Sequence, residues 1–258
     1  MKIIALAENT SKRPEIGCEH GLSLYIEAAG QKILFDMGQS ALFAENAAVL
    51  GADLAAVSLC VLSHGHYDHG GGLSRFLQIN EKAPIYMHKD AFLPHYNGTE
   101  RYIGLDTSLE AHGRIVFTEG RVPLGEGLTL VSASEIPRRH PKIAHGLTER
   151  VKDGFIEDDF RHEQYLLIED AGKRVLISGC SHVGILDIAS HFKPDVLIGG
   201  FHFSKLPPTE ALASAARELA ALKAAYYTCH CTGVEQFEFM KKYMPRLFYL
   251  GGGQSIEI

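Results

Sequence analysis

The stretch Ser63-His64-Gly65-His66-Tyr67-Asp68-His69 constrains this chain more than any other. Four donor side chains fall within six positions, directly after the uncharged run Ser58–Leu62 and directly before Gly70-Gly71-Gly72. A run without charge at that length reads as a strand covered on both faces. The histidines therefore stand on a loop at a strand's C-terminal end, and the glycines permit a tight path into a helix over Leu73–Ile79. Irregular backbone can aim several such side chains inward. Imidazole nitrogens and a carboxylate oxygen suit Zn, Mn or Fe, and a pair of divalent ions needs about this many donors with positions left for water. The expectation is a centre of two divalent metal ions, zinc first, with Mn or Fe as alternatives.

The rest of the chain reads as strands and helices in alternation. Ile3–Ala7, Leu22–Glu27 and Ile33–Phe35 are short apolar runs separated by glycines, which predicts opening strands joined by turns. Ser40–Leu50 has helical spacing, with Gly51 as its stop, and Ile85–His88 is a further strand. From Asp90 to Glu163 short β-like runs mix with polar segments, and we expect a variable loop region or lid. Tyr165–Glu169 and Arg174–Ser178 flank Ala171-Gly172 as a hairpin. Val196–Ile198, a helix over Thr209–Lys223, and strands at Ala225–Thr228 and Leu247–Leu250 complete the pattern. No repeat, low-complexity tract or linker divides the sequence, so one domain over residues 1–258 is expected, of α/β class.

Composition excludes several roles. A net charge of −6 offers no electrostatic footprint for nucleic acid or an anionic membrane, so a small-molecule substrate is the expected partner. Five cysteines, Cys18, Cys60, Cys180, Cys229 and Cys231, are odd in number and irregularly spaced, unlike a secreted disulfide framework. The apolar start Ile3–Ala7 is too short for a signal peptide, and no segment approaches the ~18 apolar residues of a membrane span. A cytoplasmic location is expected.

Ser63–His69 resembles the H-x-H-x-D-H signature of the metallo-β-lactamase-fold superfamily. The resemblance implies a four-layer αββα sandwich, two mixed sheets with outer helices. It also implies that His64 and His66 bind one metal while Asp68 and His69 bind the second. In that family later strand ends supply further histidines, and His182 in Ser178-Gly179-Cys180-Ser181-His182 and His230 in Thr228-Cys229-His230-Cys231 stand where such ligands belong. Cys180 occupies the position of the usual bridging aspartate, either as a thiolate ligand or as a small buried apolar residue. His202, like His20 and Glu19, is a candidate for substrate contact or an outer-shell role, or else for a plain structural one, and Asp36, at a strand end, for a hydrogen bond to a metal histidine or for an ordinary turn. Cys229 and Cys231 flank His230 but lack the second pair of an independent zinc site. His88, His95, His112, His140, His145, His162 and His191 are read as surface or structural.

Together with Glu19–Ser23, Leu34–Gly38, Glu135–Arg138, Gly199–His202 and His230–Gly233, these motifs resemble the subgroup related to 7,8-dihydropterin-6-yl-methyl-4-(β-D-ribofuranosyl)aminobenzene-5′-phosphate synthase. That resemblance spans nearly the whole chain. It implies a metal-dependent hydrolase or related transferase, acting with metal-activated water on a phosphorylated small molecule, pterin-linked compounds among the candidates. Asp68 is then the catalytic residue as well as a ligand. The alternatives are an ester, thioester or lactam hydrolase on the same fold, a diiron oxygen- or electron-handling protein, and a non-catalytic metal-binding or ligand-sensing protein.

Overall fold

A computed structural model describes residues 1–141 and 145–258. Two seven-stranded sheets dominate it. The first runs Ser255–Glu257, Lys2–Ala7, Ser23–Ala28, Gln31–Phe35, Leu59–Val61, Ile85–His88, Ile115–Thr118 in spatial order. The second runs Leu247–Tyr249, Ala225–Thr228, Val196–Gly199, Lys173–Ile177, Gln164–Asp170, Leu128–Ser132, Arg121–Gly125. Each is antiparallel in one half and parallel in the other, the change falling at Gln31–Phe35 in the first and at Lys173–Ile177 in the second.

Alternation along the strands builds the layers. Ile33, Phe35, Leu59 and Val61 of the first sheet meet Leu166, Ile168, Val175 and Ile177 of the second in an inner core. Their neighbours Leu34, Cys60 and Leu62 face outward onto the helices Leu42–Leu50 and Leu73–Ile79. On the far side Leu167, Leu176 and Leu197 pack against the helices Ile185–Phe192, Glu210–Ala221 and Val234–Met240. The result is the expected α/β four-layer sandwich. Most buried strand residues are apolar on both faces, and a one-residue slip of register would exchange the two cores rather than expose them.

The expected elements outside residues 90–163 are present within a residue or two of their limits. The hairpin turn uses Ala171 and Gly172, both at positive φ, and Gly51 ends its helix in the left-handed conformation. Residues 90–163 are not a plain loop region. Ile115–Thr118 closes the first sheet, while Arg121–Gly125 and Leu128–Ser132 extend the second. The remaining strands form a separate four-stranded sheet in the order Gly154–Glu157, Leu147–Val151, His95–Asn97, Arg101–Tyr102. Apart from the buried, interior strand Leu128–Ser132, these are edge or surface strands with exposed residues such as Val116, Phe117 and Ile156, so their hydrophobic pattern is broken. No helix among the described residues is long and apolar enough to cross a membrane.

Candidate metal centre

The parallel halves of both sheets end at the same edge of the sandwich, and the chemistry-bearing residues gather there. Leu59–Val61 leads to His64, His66, Asp68 and His69; Lys173–Ile177 leads to Cys180 and His182; Ala225–Thr228 leads to His230. Asp36 and His202 follow two further parallel strands. Asp36, Ser181, His202 and His230 all hold positive φ, between 47 and 60°. A non-glycine residue in that region costs about 1–3 kcal/mol, and such outliers concentrate where a side chain must be aimed. The strand-end turns here are bent to point donors at one another.

Hydrogen bonds fix which ring nitrogens face the centre. Ser63 donates its hydroxyl to Asp36 Oδ2 at 2.8 Å, so its oxygen accepts from His64 Nδ1 at 2.8 Å. That leaves His64 Nε2 as a bare lone pair. His69 Nδ1 donates to Asp36 Oδ2 at 2.7 Å, and His230 Nδ1 donates to Asn9 Oδ1 at 2.8 Å. Their Nε2 atoms are 3.2 Å apart. His182 Nε2 lies 3.3 Å from His64 Nε2, and Cys180 Sγ lies 3.2 Å from His69 Nε2. Asp68 Oδ2 is 3.2 Å from His230 Nε2 and 3.3 Å from His20 Nε2. His66 Nε2 and His182 Nδ1 are buried without a hydrogen-bond partner among the described residues.

The electrostatics agree with this geometry. Burial and the surrounding imidazoles keep His64, His66 and His182 well below the usual histidine range, in the neutral form that ligates metals. At His69 burial acts in the same direction, but Asp36 and Asp68 outweigh it and push the ring up to about 9. Asp68 is held well below the carboxylate range: burial would raise it, and His69, His20 and His230 overcome that. Lone pairs pointing at one another at these separations repel unless a cation or a proton sits between them. The donor set fits divalent metal. One group is His64, His66 and His182; a second is His20, Asp68 and His230; Cys180 joins His64 and His69 between them, each group with donor atoms within 4.8 Å.

All six metal residues expected from the sequence are thus brought together, with Cys180 among them. Asp36 lies behind the donors, bonded to Ser63 and His69. His202 stands 4.2 Å from the His182 ring, on the pocket side. Sequence reasoning missed the supports. Glu8 accepts from the backbone of His230, and Glu163 accepts from the amides of His182 and Val183. His95 and His162, read as structural or surface, are fully buried beside Asp158 and close to His66. His162 Nδ1 accepts from the Gly65 amide at 2.9 Å, which pins the histidine loop. The one available signal was position: Glu8, Asn9 and Glu163 adjoin strand ends at the same edge.

An open cleft of about 190 Å³ lies over this cluster, with Asp68, His66, His182 and His230 in its floor and Tyr67, Asn97, Arg101 and Lys205 at its mouth.

The family model of the metallo-β-lactamase superfamily matches residues 16–229. The chain belongs to this superfamily. Superfamily members are generally metal-dependent hydrolases that bind divalent metals, and the His/Asp groups described above are able to hold one. An uncharacterised protein of Methanocaldococcus jannaschii is 31% identical over 207 residues, covering 76% of this chain and 77% of its own. The 7,8-dihydropterin-6-methyl-4-(β-D-ribofuranosyl)-aminobenzene-5′-phosphate synthase of the same organism is 27% identical, covering 100% of this chain and 96% of its own. Among solved structures, Tm1679, described as a metal-dependent hydrolase of the β-lactamase superfamily, superposes with a TM-score of 0.86 at 29% identity, covering 100% of this chain and 99% of that one.

Proposed function

We propose that this protein is a metal-dependent hydrolase, or a related transferase, acting on a phosphorylated small molecule. The observation that carries this reading is the charge arrangement of the cleft. The chain is acidic overall, yet the mouth of the cleft carries Arg101 and Lys205, and neither has a carboxylate partner among the described residues. Arg101 lies over the Tyr67 ring and donates to its hydroxyl at 3.0 Å, which holds the guanidinium facing inward. A planar fork of donors suits a phosphate or carboxylate. The synthase relative, whose product bears a phosphate, and the metal-dependent hydrolase among the structures support the same class. Five free thiols are in keeping with a cytoplasmic setting.

His64, His66 and His182 would hold one ion, and Asp68, His69 and His230 the other, with Cys180 between. Bound there, divalent ions would make water acidic enough to attack near neutral pH and would stabilise developing negative charge. Asp68 has one carboxylate oxygen near both His230 and His20, so it can orient a water and accept its proton while His20, at the solvent side, passes that proton on. Arg101 and Lys205 anchor the anionic end of the substrate at the mouth of the cleft, over the donors in its floor.

The test is elemental analysis of protein purified without added metal, followed by assay against phosphomonoesters, phosphodiesters, pyrophosphate and thioesters. Metal-dependent turnover of a phosphorylated compound is expected. Asp68→Ala should reduce it by about 10²–10⁴-fold, and full activity in that variant would refute the mechanism. Arg101→Ala should raise KM for the phosphorylated substrate about tenfold or more, the loss expected of a charge-assisted bond, while leaving KM for a neutral ester unchanged.

A further inference from the structure

Two of the five cysteines have an ordinary explanation. Cys60 and Cys229 are fully buried in the outer and inner apolar cores and behave as small apolar side chains. Cys180 and Cys231 belong to neither core. They line the cleft, 3% and 6% exposed, among histidines. Their two loops are tied together: Cys231 Sγ lies 3.4 Å from the Cys180 carbonyl oxygen, the Gly200 amide donates to the Gly179 carbonyl at 2.8 Å, and the Ser204 amide donates to the Cys231 carbonyl at 3.0 Å. A side chain at position 200 would overlap Cys231 Sγ, so Gly200 is what lets the third loop approach this close.

His202 completes the arrangement. Its backbone is held at φ 56°, and both of its ring nitrogens are buried without a hydrogen-bond partner among the described residues. An imidazole with neither nitrogen satisfied has lost its hydration with nothing in return, and a strained backbone aims it. One donor atom from each of Cys180, His202 and Cys231 falls within 4.8 Å of the other two.

We propose that Cys180, Cys231 and His202 form a further metal position in the wall of the cleft, sulfur-rich and nearly buried, that takes a thiophilic cation such as Zn²⁺. Two sulfurs and an imidazole are a three-donor set that leaves a fourth position facing the cleft for water or substrate. Cys180 is common to this set and to the histidine centre, so its thiolate bridges the two. The position goes beyond the two-ion reading above: it adds an ion that His64, His66, Asp68 and His69 do not hold.

The experiment is anaerobic titration of the reduced, metal-free, full-length protein with Co²⁺, counting bound ions by equilibrium dialysis and following sulfur-to-cobalt charge transfer in the near ultraviolet. The wild-type chain should take one ion more than Cys231→Ala or His202→Asn, and Cys231→Ala should lose part of the charge-transfer band. Asparagine tolerates the left-handed backbone at 202, so His202→Asn decides the matter if Cys231→Ala does not fold. Cys18→Ser, an exposed thiol, should match the wild type. An ion count and a spectrum unchanged in both Cys231→Ala and His202→Asn would overturn the proposal. His64→Ala and His182→Ala report on the histidine centre separately: if they keep every ion, the function proposed above falls, while the count lost in Cys231→Ala stands.

Discussion

Asp36 shows how much of this site depends on residues that touch no metal. Fully buried at a positive φ of 58°, it accepts from the Ser63 amide, the Ser63 hydroxyl and His69 Nδ1. It therefore sets the tautomers of two imidazoles at once, directly at His69 and through Ser63 at His64. Asparagine tolerates the backbone but presents an amide that donates toward His69 or Ser63 where the carboxylate accepted. Asp36→Asn should lower metal affinity about 10–100-fold, measured by competition with a chromophoric chelator, with the far-ultraviolet dichroism of the wild type. Unchanged affinity would show that the rings are oriented by packing alone. The sequence made the donors legible at this scale, because His64, His66, Asp68 and His69 are neighbours and a strand end explains where they point. It could not reveal that His95 joins Asp158 and His162, because that meeting bridges 63 positions and the i,i+4 pair Asp158 and His162 alone points to no site.

At the scale of elements, legibility follows burial. Strands covered on both faces, such as Leu59–Val61 and Val196–Gly199, announce themselves as apolar runs. Two-residue strands such as Arg101–Tyr102 carry no period at all. The helices Ile185–Phe192 and Val234–Met240 went unseen because each starts at a glycine at positive φ, Gly184 and Gly233, with no side-chain cap to mark the boundary. The first of these helices carries a pH-dependent tether. Asp187, in its first turn, accepts from the amides of Arg139 and His140 and bonds His140 Nδ1 at 2.7 Å, while His140 Nε2 meets Glu218 at 3.1 Å. The bond to Asp187, with help from Glu218 and against partial desolvation, raises the His140 pKa. A histidine raised in the folded state contributes stability in full below its unfolded value, and the contribution is lost as pH rises through the folded value. The Tm difference between the wild type and Asp187→Asn should accordingly be larger near about pH 6 than near about pH 8. A difference that grows with pH would mean that the carboxylate serves the backbone amides and not the imidazole.

For the whole molecule, the two sheets are joined by an apolar core through their middle and by a charged, imidazole-rich seam at one edge. That seam draws its donors from both sheets: His64 and His69 from the first, His182 and His230 from the second. Without a cation it leaves buried ring nitrogens facing one another, relieved in part by a proton on His69, which Asp36 and Asp68 keep up to about 9. Metal binding must displace that proton, so affinity should strengthen as pH rises toward 9. Because the ions bind the assembled sheets and not the separated strand ends, they stabilise the folded state as a unit. Ions present at about 1,000 times their Kd contribute roughly 4 kcal/mol, and for a domain of this size about 1 kcal/mol shifts Tm by roughly 2–4 °C. Chelation should then lower Tm by about 10 °C, and added Zn²⁺ should restore it. The same treatment of a His64→Ala, His230→Ala double variant should have little effect, since one donor from each sheet is gone. If the wild type, stripped by chelation and shown metal-free by elemental analysis, melts where the loaded protein melts, the seam is held closed by its hydrogen bonds to Asp36, Asn9, Glu8 and Glu163, and the cations serve chemistry alone.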